Sequence, residues 1–205
     1  TSNEKDTATL ALNVLEGDGS LHFDGSDDFV DLSGTIGSAG LKELTLEAWV
    51  KVSDTTGDYH SILSSSTSDF VHFQLHSTGN TAIFTDVGQI NLPIVSATPT
   101  GVWKHVAVVV KSGASKVYEN GVQVDTTVTT EFDTISVGNT NFIGKGFLNG
   151  RFFKGQIDEL RVWSRALCAE ELGHRNGCEL DTSNASGLLA YYSFNQGLDK
   201  GNNSG

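Results

Sequence analysis

The sequence predicts an all-β fold, a two-sheet antiparallel sandwich with one short helix near the C-terminus. Three observations lead there. Apolar and polar residues alternate with a period of two in segment after segment, which is the signature of half-buried strands. Turn residues, among them 23 glycines, punctuate those segments at short spacing. Only one stretch carries helix start and stop signals. A chain of 205 residues is within reach of one such domain. At this size about 70% of the unfolded surface can be buried, so the core needs no staples.

Residues 1–18 are polar apart from LALNVL and read as a linker or a first edge strand. From residue 19 the chain is strand-like, and 19–200 form the domain, with 201–205 a tail. In LHFDGSDDFVDL (21–32), Leu21 and Phe23 face one way, Asp24 to Asp27 turn the chain, and Asp28, Val30 and Leu32 share the next face. LTLEAWVKV (44–52) puts Leu44, Leu46, Ala48, Val50 and Val52 on one face and Thr45, Glu47, Trp49 and Lys51 on the other. FVHFQLHS (70–77) alternates Val71, Phe73 and Leu75 with His72, Gln74 and His76. TAIFTDVGQINL (81–92) is a weaker strand pair, and Pro93 and Pro99 mark the loop region after it.

WKHVAVVVK (103–111) is the most apolar run and reads as a buried central strand. In KVYENGVQVD (116–125), Asn120-Gly121 joins two strand-like runs. Both central positions of a type I′ turn need positive φ, and Asn-Gly supplies them. TNFIGKGF and RFFKGQIDELRVW follow as strands. Ser164 is placed to cap a helix over RALCAEEL, which GHRNG ends, and GLLAYYSF (187–194) returns to strand.

The net charge of −12 repels phosphate backbones and anionic membranes, so nucleic acid is excluded as a partner. No apolar run approaches the ~20 residues of a membrane span, and no membrane insertion is expected. TSNEKDTATL has no signal-peptide character and reads as the start of a piece cut from a longer, multidomain chain. No GxSxG, Walker A or HExxH sequence occurs. Asp158 and Glu159 are strand neighbours and should point to opposite faces, while Glu170 and Glu171 sit on the helix. No catalytic residue is assigned, and the chain reads as a non-enzyme. His72 and His76 are about 13 Å apart on a strand, too far to share a zinc ion whose donors lie about 3–4 Å from one another. Cys168 and Cys178 could form a disulfide closing a loop of about ten residues, worth roughly 2–3 kcal/mol. The alternative is two buried free thiols.

The order LHFDGSDDFVDL, LTLEAWVK, WKHVAVVV, KVYENGVQV, FIG, FKGQIDELRVWSRAL, GLLAYYSF resembles the laminin G-like domains of the concanavalin A-like superfamily. The resemblance covers about residues 19–196 and is nearest to the bacterial form found in secreted multidomain proteins. It implies a jelly roll of one concave and one convex sheet. It also implies an extracellular or cell-surface location, and a family that includes glycan-binding, adhesion and accessory modules. Catalytic members of the superfamily carry an E-x-D-x-x-E run on one strand, which is missing here.

The resemblance further implies a structural calcium that ties the N-terminal turn to a late strand. The matching positions are Asp24 in FDG and Asp158 in GQIDE, with Asp28 a third ligand and carbonyls of 25–27 completing the shell. Calcium takes six to eight oxygens at about 2.3–2.6 Å. The alternative is a plain hairpin turn in which Asp24 and Asp27 accept backbone N–H groups. For a ligand, the rim loops 53–60 and 138–151 offer Asp54, Asp58, Tyr59, Asn139 and Asn141, with Phe147 and Phe152 as further aromatics. The row His72, Gln74, His76 is an alternative sugar-facing surface, or simply a solvated one. The function expected is a non-catalytic, calcium-stabilised module that binds a polysaccharide or cell-surface glycan. The second reading is an adhesion or spacer domain with no glycan ligand.

Overall fold

The computed structural model describes residues 19–32, 34, 36, 39–54, 59–65, 71–76, 80–85, 88–93, 100–138, 141–147, 150–174 and 180–195. The expected linker (1–18) and tail (201–205) lie outside them. The strands are β1 (Leu21–Asp24), β2 (Val30–Asp31), β3 (Glu43–Val52), β4 (Tyr59–Ser65), β5 (His72–His76), β6 (Asn80–Thr85) and β7 (Gly88–Pro93). They continue with β8 (Lys104–Lys111), β9 (Ser115–Glu119), β10 (Val122–Val128), β11 (Asn141–Ile143), β12 (Lys154–Trp163) and β13 (Leu188–Tyr192). The short helix α1 is Ala169–His174.

The larger sheet has the order β1-β12-β3-β8-β9-β10, and β13 also pairs β12. β1 takes the first part of β12, with Leu21 opposite Ile157 and Asp24 opposite Lys154, and β13 takes the rest, with Leu160 opposite Tyr192. The second sheet is β2-β11-β4-β5, and β6-β7 form a separate hairpin. All pairings are antiparallel. This is the expected two-sheet sandwich.

Alternation builds the core. Leu44, Leu46, Ala48 and Val50 of β3 and Val106, Val108 and Val110 of β8 are fully buried, facing Ile62, Leu63, Phe73 and Ile143 of the other sheet. Each such valine, leucine, isoleucine or phenylalanine contributes about 1.5–3 kcal/mol when buried. β8 lies between β3 and β9, as its apolar run implies. The Asn120-Gly121 turn joins β9 to β10 with φ of 50° and 79°, the positive pair that a type I′ turn needs. Gly144 has φ +82°, and a Cβ there would lie 2.3 Å from the Phe23 ring, so only glycine fits.

Three features depart from the simple pattern. The pairing of β12 with β3 slips between Asp158 and Arg161, and Glu159 takes a φ of 50°. This bulge lets Ile157 and Leu160 both enter the core, so Asp158 and Glu159 fall together on the outer side instead of on opposite faces. The outer face of the larger sheet is not solvated either. Ala107, Val109, Tyr118 and Trp163 form a second core with Leu167 and Leu172, and Thr45 and Glu47 are shut in beneath this cover. Finally, Ser164 does not cap the helix. Its Oγ and N–H both bond the Gly187 carbonyl. The start of α1 is held instead by the Cys168 N–H donating to the Glu171 carboxylate, which also ion-pairs with Arg165.

Candidate functional site

At one end of the sandwich the two sheets part around a cleft of about 650 Å³, within the range usual for small-ligand sites. One wall comes from the larger sheet: Asp24 at the end of β1, Asp54 just past β3, and Lys154 at the start of β12. The other comes from the start of β4, with Tyr59 and His60. The segment Gly150–Phe152, leading into β12, closes the side.

Each side chain has a local reason for its place. His60 pairs with Leu75 of the core, so its ring also points between the sheets, edge-on to Phe153 at 6.1 Å. It is 6% exposed. Burial holds its pKa below the ordinary 6.5, partly offset by the nearby Asp54 charge and reinforced by that of Lys154. Arg151 follows Gly150 in a turn and takes a left-handed φ of 57°. Its guanidinium lies over the Tyr59 ring at 4.0 Å and the Phe147 ring at 5.0 Å. Lys154 bonds Asp54 at 3.1 Å. A flat aromatic surface, a guanidinium, an imidazole and two carboxylates converge here, a set suited to gripping a polyhydroxylated ligand.

The acidic turn adjoins this cleft through Asp24. Carboxylate oxygens of Asp24, Asp27 and Asp28 lie within 4.8 Å of one another. Asp24 Oδ1 accepts the Ser26 N–H at 2.7 Å, and Asp28 Oδ2 accepts the Asp24 N–H at 2.9 Å.

A second constellation lies under the helix. Glu47 Oε2 is 3.0 Å from His105 Nε2, and Glu47 Oε1 accepts the Trp163 indole N–H at 2.9 Å. Arg161 is 3.6 Å from Glu47 and ion-pairs with Glu159, whose carboxylate also takes the Tyr191 hydroxyl at 2.8 Å. Burial and Glu159 push the Tyr191 hydroxyl up to about 12. With Glu47 and Arg161 at 0% exposure, this network has no room for a ligand and acts as polar core.

The sequence pattern of the laminin G family, described as the concanavalin A-like lectin/glucanases superfamily, matches residues 24–173. The chain belongs to that family. No curated protein sequence matches this laminin G domain. Among solved structures it is similar to a Bacteroides ovatus protein named for carbohydrate binding. That likeness has 22% identity and a TM-score of 0.69, and covers 87% of this chain and 52% of that one. The domain thus spans about half the length of that protein. It is also similar to domain 4 of AbnA, a GH43 extracellular arabinanase from Geobacillus stearothermophilus, in complex with arabinotriose. There the identity is 25% and the TM-score 0.61, over 76% of this chain and 75% of that one. A heptameric SAP-like pentraxin from Limulus polyphemus shares the fold at 22% identity and TM-score 0.59, over 77% and 81% of the two chains.

The laminin G framework distributes the sequence-derived candidates unevenly. Tyr59 lines the cleft, and so does Phe152. Asp58 and Asn139 lie outside the described residues, as does the His76 side chain. Asp158 does not join Asp24 and Asp28. Register puts Lys154 opposite Asp24, so Asp158 lies four residues further along β12, about 13 Å away at the strand rise. Its Oδ1 accepts the Glu159 N–H instead.

His72 and Gln74 form no exposed row; each is 1% exposed. Segment 144–147 covers that face of β4 and β5, with Ser64 Oγ donating to the Lys145 carbonyl and the Phe147 ring 4.6 Å from His72. Asn141 is buried in β11, with its amide on the Gly138 carbonyl. The Cys168 thiol is free and exposed, so the expected bridge to Cys178 is not formed, and Cys178 lies outside the described residues. The Arg165–Glu171 pair and the Glu171 cap hold that corner without it.

His60, Arg151 and Lys154 were missed by the sequence reading. The signal for Arg151 is present in NGRFF, an arginine between a turn glycine and two aromatics. His60 carries no local signal beyond adjacency to Tyr59.

Proposed function

We propose that this laminin G domain is a non-catalytic carbohydrate-binding module of a larger extracellular or surface protein, and that its glycan sits in the cleft between Tyr59, Arg151 and Lys154. The observation that carries this reading is the convergence of Tyr59, Arg151, His60 and paired carboxylates around one open volume at the end of a rigid sandwich. The likeness to a protein named for carbohydrate binding and to an arabinanase domain holding arabinotriose supports it. Glu47 and Glu159, the buried glutamates among the described residues, are tied to Arg161, His105 and Trp163, which supports a binder over a hydrolase.

Calcium belongs to the same reading, with its site shifted from the sequence expectation. Asp24, Asp27 and Asp28 supply three carboxylates from one turn, a donor set of the right charge and hardness. Asp158 is not part of it. An ion held there would fix the turn that forms one wall of the cleft.

Affinity electrophoresis across algal, plant and animal polysaccharides tests the function. At least one polymer should retard the domain, and Tyr59→Ala should relieve that retardation about tenfold. Uniform mobility across the panel would overturn the carbohydrate reading in favour of a spacer domain.

A further inference from the structure

The cover over the outer face of the larger sheet is partial. Leu167 and Leu172 shield the part around Ala107, Val109 and Trp163. The part nearer the cleft is open, and alternation decides which side chains it presents. On β1, Leu21 and Phe23 enter the core and leave His22 and Asp24 exposed outside. On β3, Val50 and Val52 enter it and leave Trp49 and Lys51 half-buried outside. Ahead of its bulge, β12 turns Lys154, Gln156 and Asp158 outward in the same way. Trp103 stands one residue before Lys104, whose buried side chain pairs with Glu119 on the inner side, so Trp103 is turned outward too. It is 36% exposed.

Register sets these groups side by side. His22 lies opposite Gln156, and Gln156 opposite Lys51. Lys104 lies opposite Val50, which puts Trp103 beside Lys51. Trp49 is opposite His105 on β8. The two indoles are therefore a diagonal step apart on adjacent strands, about 7–8 Å. The Trp49 ring rests on the His105 ring at 5.7 Å, and Glu47 holds that imidazole at 3.0 Å from below. A ring fixed in advance loses little freedom when a ligand meets it.

The surroundings say what such a ligand is. Lys51 and Lys154 share this face with Asp24 and Asp158, so its charge is balanced although the chain carries −12. Balanced charge, amide and indole together suit a polymer of hydroxyls and C–H faces that bears no charge of its own. The open area spans three strand spacings and four residues, about 14 by 13 Å, or roughly 200 Å². A stable protein partner needs about 800 Å² on each side. The face is also continuous with the cleft, since Asp24 and Lys154 belong to both.

We infer that the face carrying Trp49 and Trp103 is a second carbohydrate contact surface, which receives an uncharged polysaccharide chain as it leaves the cleft. The inference rests on the carbohydrate-binding reading above and adds to it a further contact area and the charge class of the polymer.

The test uses the folded domain with arabinan, xyloglucan and laminarin, and with polygalacturonate as the charged polymer. Affinity electrophoresis is read beside acrylamide quenching of tryptophan emission. Of the three tryptophans Trp163 is fully buried, so quenching reports Trp49 and Trp103. At least one uncharged polymer should retard the domain and lower the quenching constant about twofold, and Trp103→Ala should weaken that retardation about fivefold. Where Trp103→Ala does not fold, quenching of the unsubstituted domain decides alone. Retardation with quenching unchanged overturns the inference, as does a folded Trp103→Ala retarded like the native domain. Both results leave the cleft reading standing. Retardation by polygalacturonate alone overturns the inference in the same way. Protection of the tryptophans that grows with protein concentration and needs no polymer overturns it in favour of self-association. No retardation by any polymer overturns the carbohydrate reading itself, and the inference with it.

Discussion

Glu47 on β3 and His105 on β8 meet with Oε2 3.0 Å from Nε2, and neither exposes any surface to solvent. A buried carboxylate survives only with partners, and Glu47 has Trp163 and Arg161 as well. Removing its charge takes away one of the two carboxylates that face Arg161, Glu159 being the other. Glu47→Gln is therefore expected to destabilise the fold by about 3–5 kcal/mol, read as a lower urea midpoint. A loss under about 1 kcal/mol would show that the network is not held by charge.

Acid should weaken the domain in two stages. Burial alone would raise the Glu47 carboxyl, but the His105 hydrogen bond and charge, the Arg161 charge and the Trp163 N–H outweigh it and hold the group below its ordinary 4.5. That contribution is present above pH 4.5 and is lost as pH falls through the lower folded value. Burial depresses His60 below its ordinary 6.5, so its contribution is present above pH 6.5 and is lost on acidification below that point. Both signs agree. The melting temperature should start to fall below pH 6.5 and fall again below 4.5. His60→Phe should flatten only the first stage, and a first stage that persists in that variant would assign it elsewhere.

Gly144→Ala should be disruptive out of proportion to one methyl group. The new Cβ would lie 2.3 Å from Phe23 Cε1, at a φ of +82°. Overpacking and the left-handed penalty together predict a loss of about 2–4 kcal/mol, measured by thermal or urea unfolding. Gly34→Ala meets no neighbour within 4 Å at a similar φ of +80°. It isolates the backbone part and should cost about 1 kcal/mol.

Calcium is expected to raise the melting temperature, and a chelator to lower it again. Asp28→Asn should weaken the response at least tenfold in midpoint calcium concentration, whereas Asp158→Asn should leave it unchanged. A response abolished by Asp158→Asn would restore the turn-to-late-strand site, and no calcium response in a stripped sample would remove the ion from the proposal.

Much of the fold was legible because it is local. Leu44 to Val52, Val106 to Val110 and Asn120-Gly121 declare their structure through period and turn chemistry, and the structure follows them. The failures share one cause. Glu47 and His72 occupy the polar side of alternating strands, and nothing nearby in sequence says that Leu167, Leu172 or Phe147 will cover them. Register is equally silent. Asp24 and Asp158 could be brought together on paper, yet the pairing of Asp24 with Lys154 holds them apart. Of the cleft, Tyr59 and Phe152 were visible as loop aromatics. His60 was not, because its site exists only once two sheets enclose it.

The placement of β12 has a consequence for how the domain comes into being. This late segment is the neighbour of β1 and of β3 at once, so β1 gains its pairing partner, and β3 its second one, only after residues 154–163 exist. On a ribosome, β3, β8, β9 and β10 would emerge before the strand that joins β1 and β13 to them. Distant pairing of this sort makes folding slow. A nascent chain stalled before residue 154 should therefore be protease-sensitive throughout, and one released beyond Trp163 should acquire resistance in a single step.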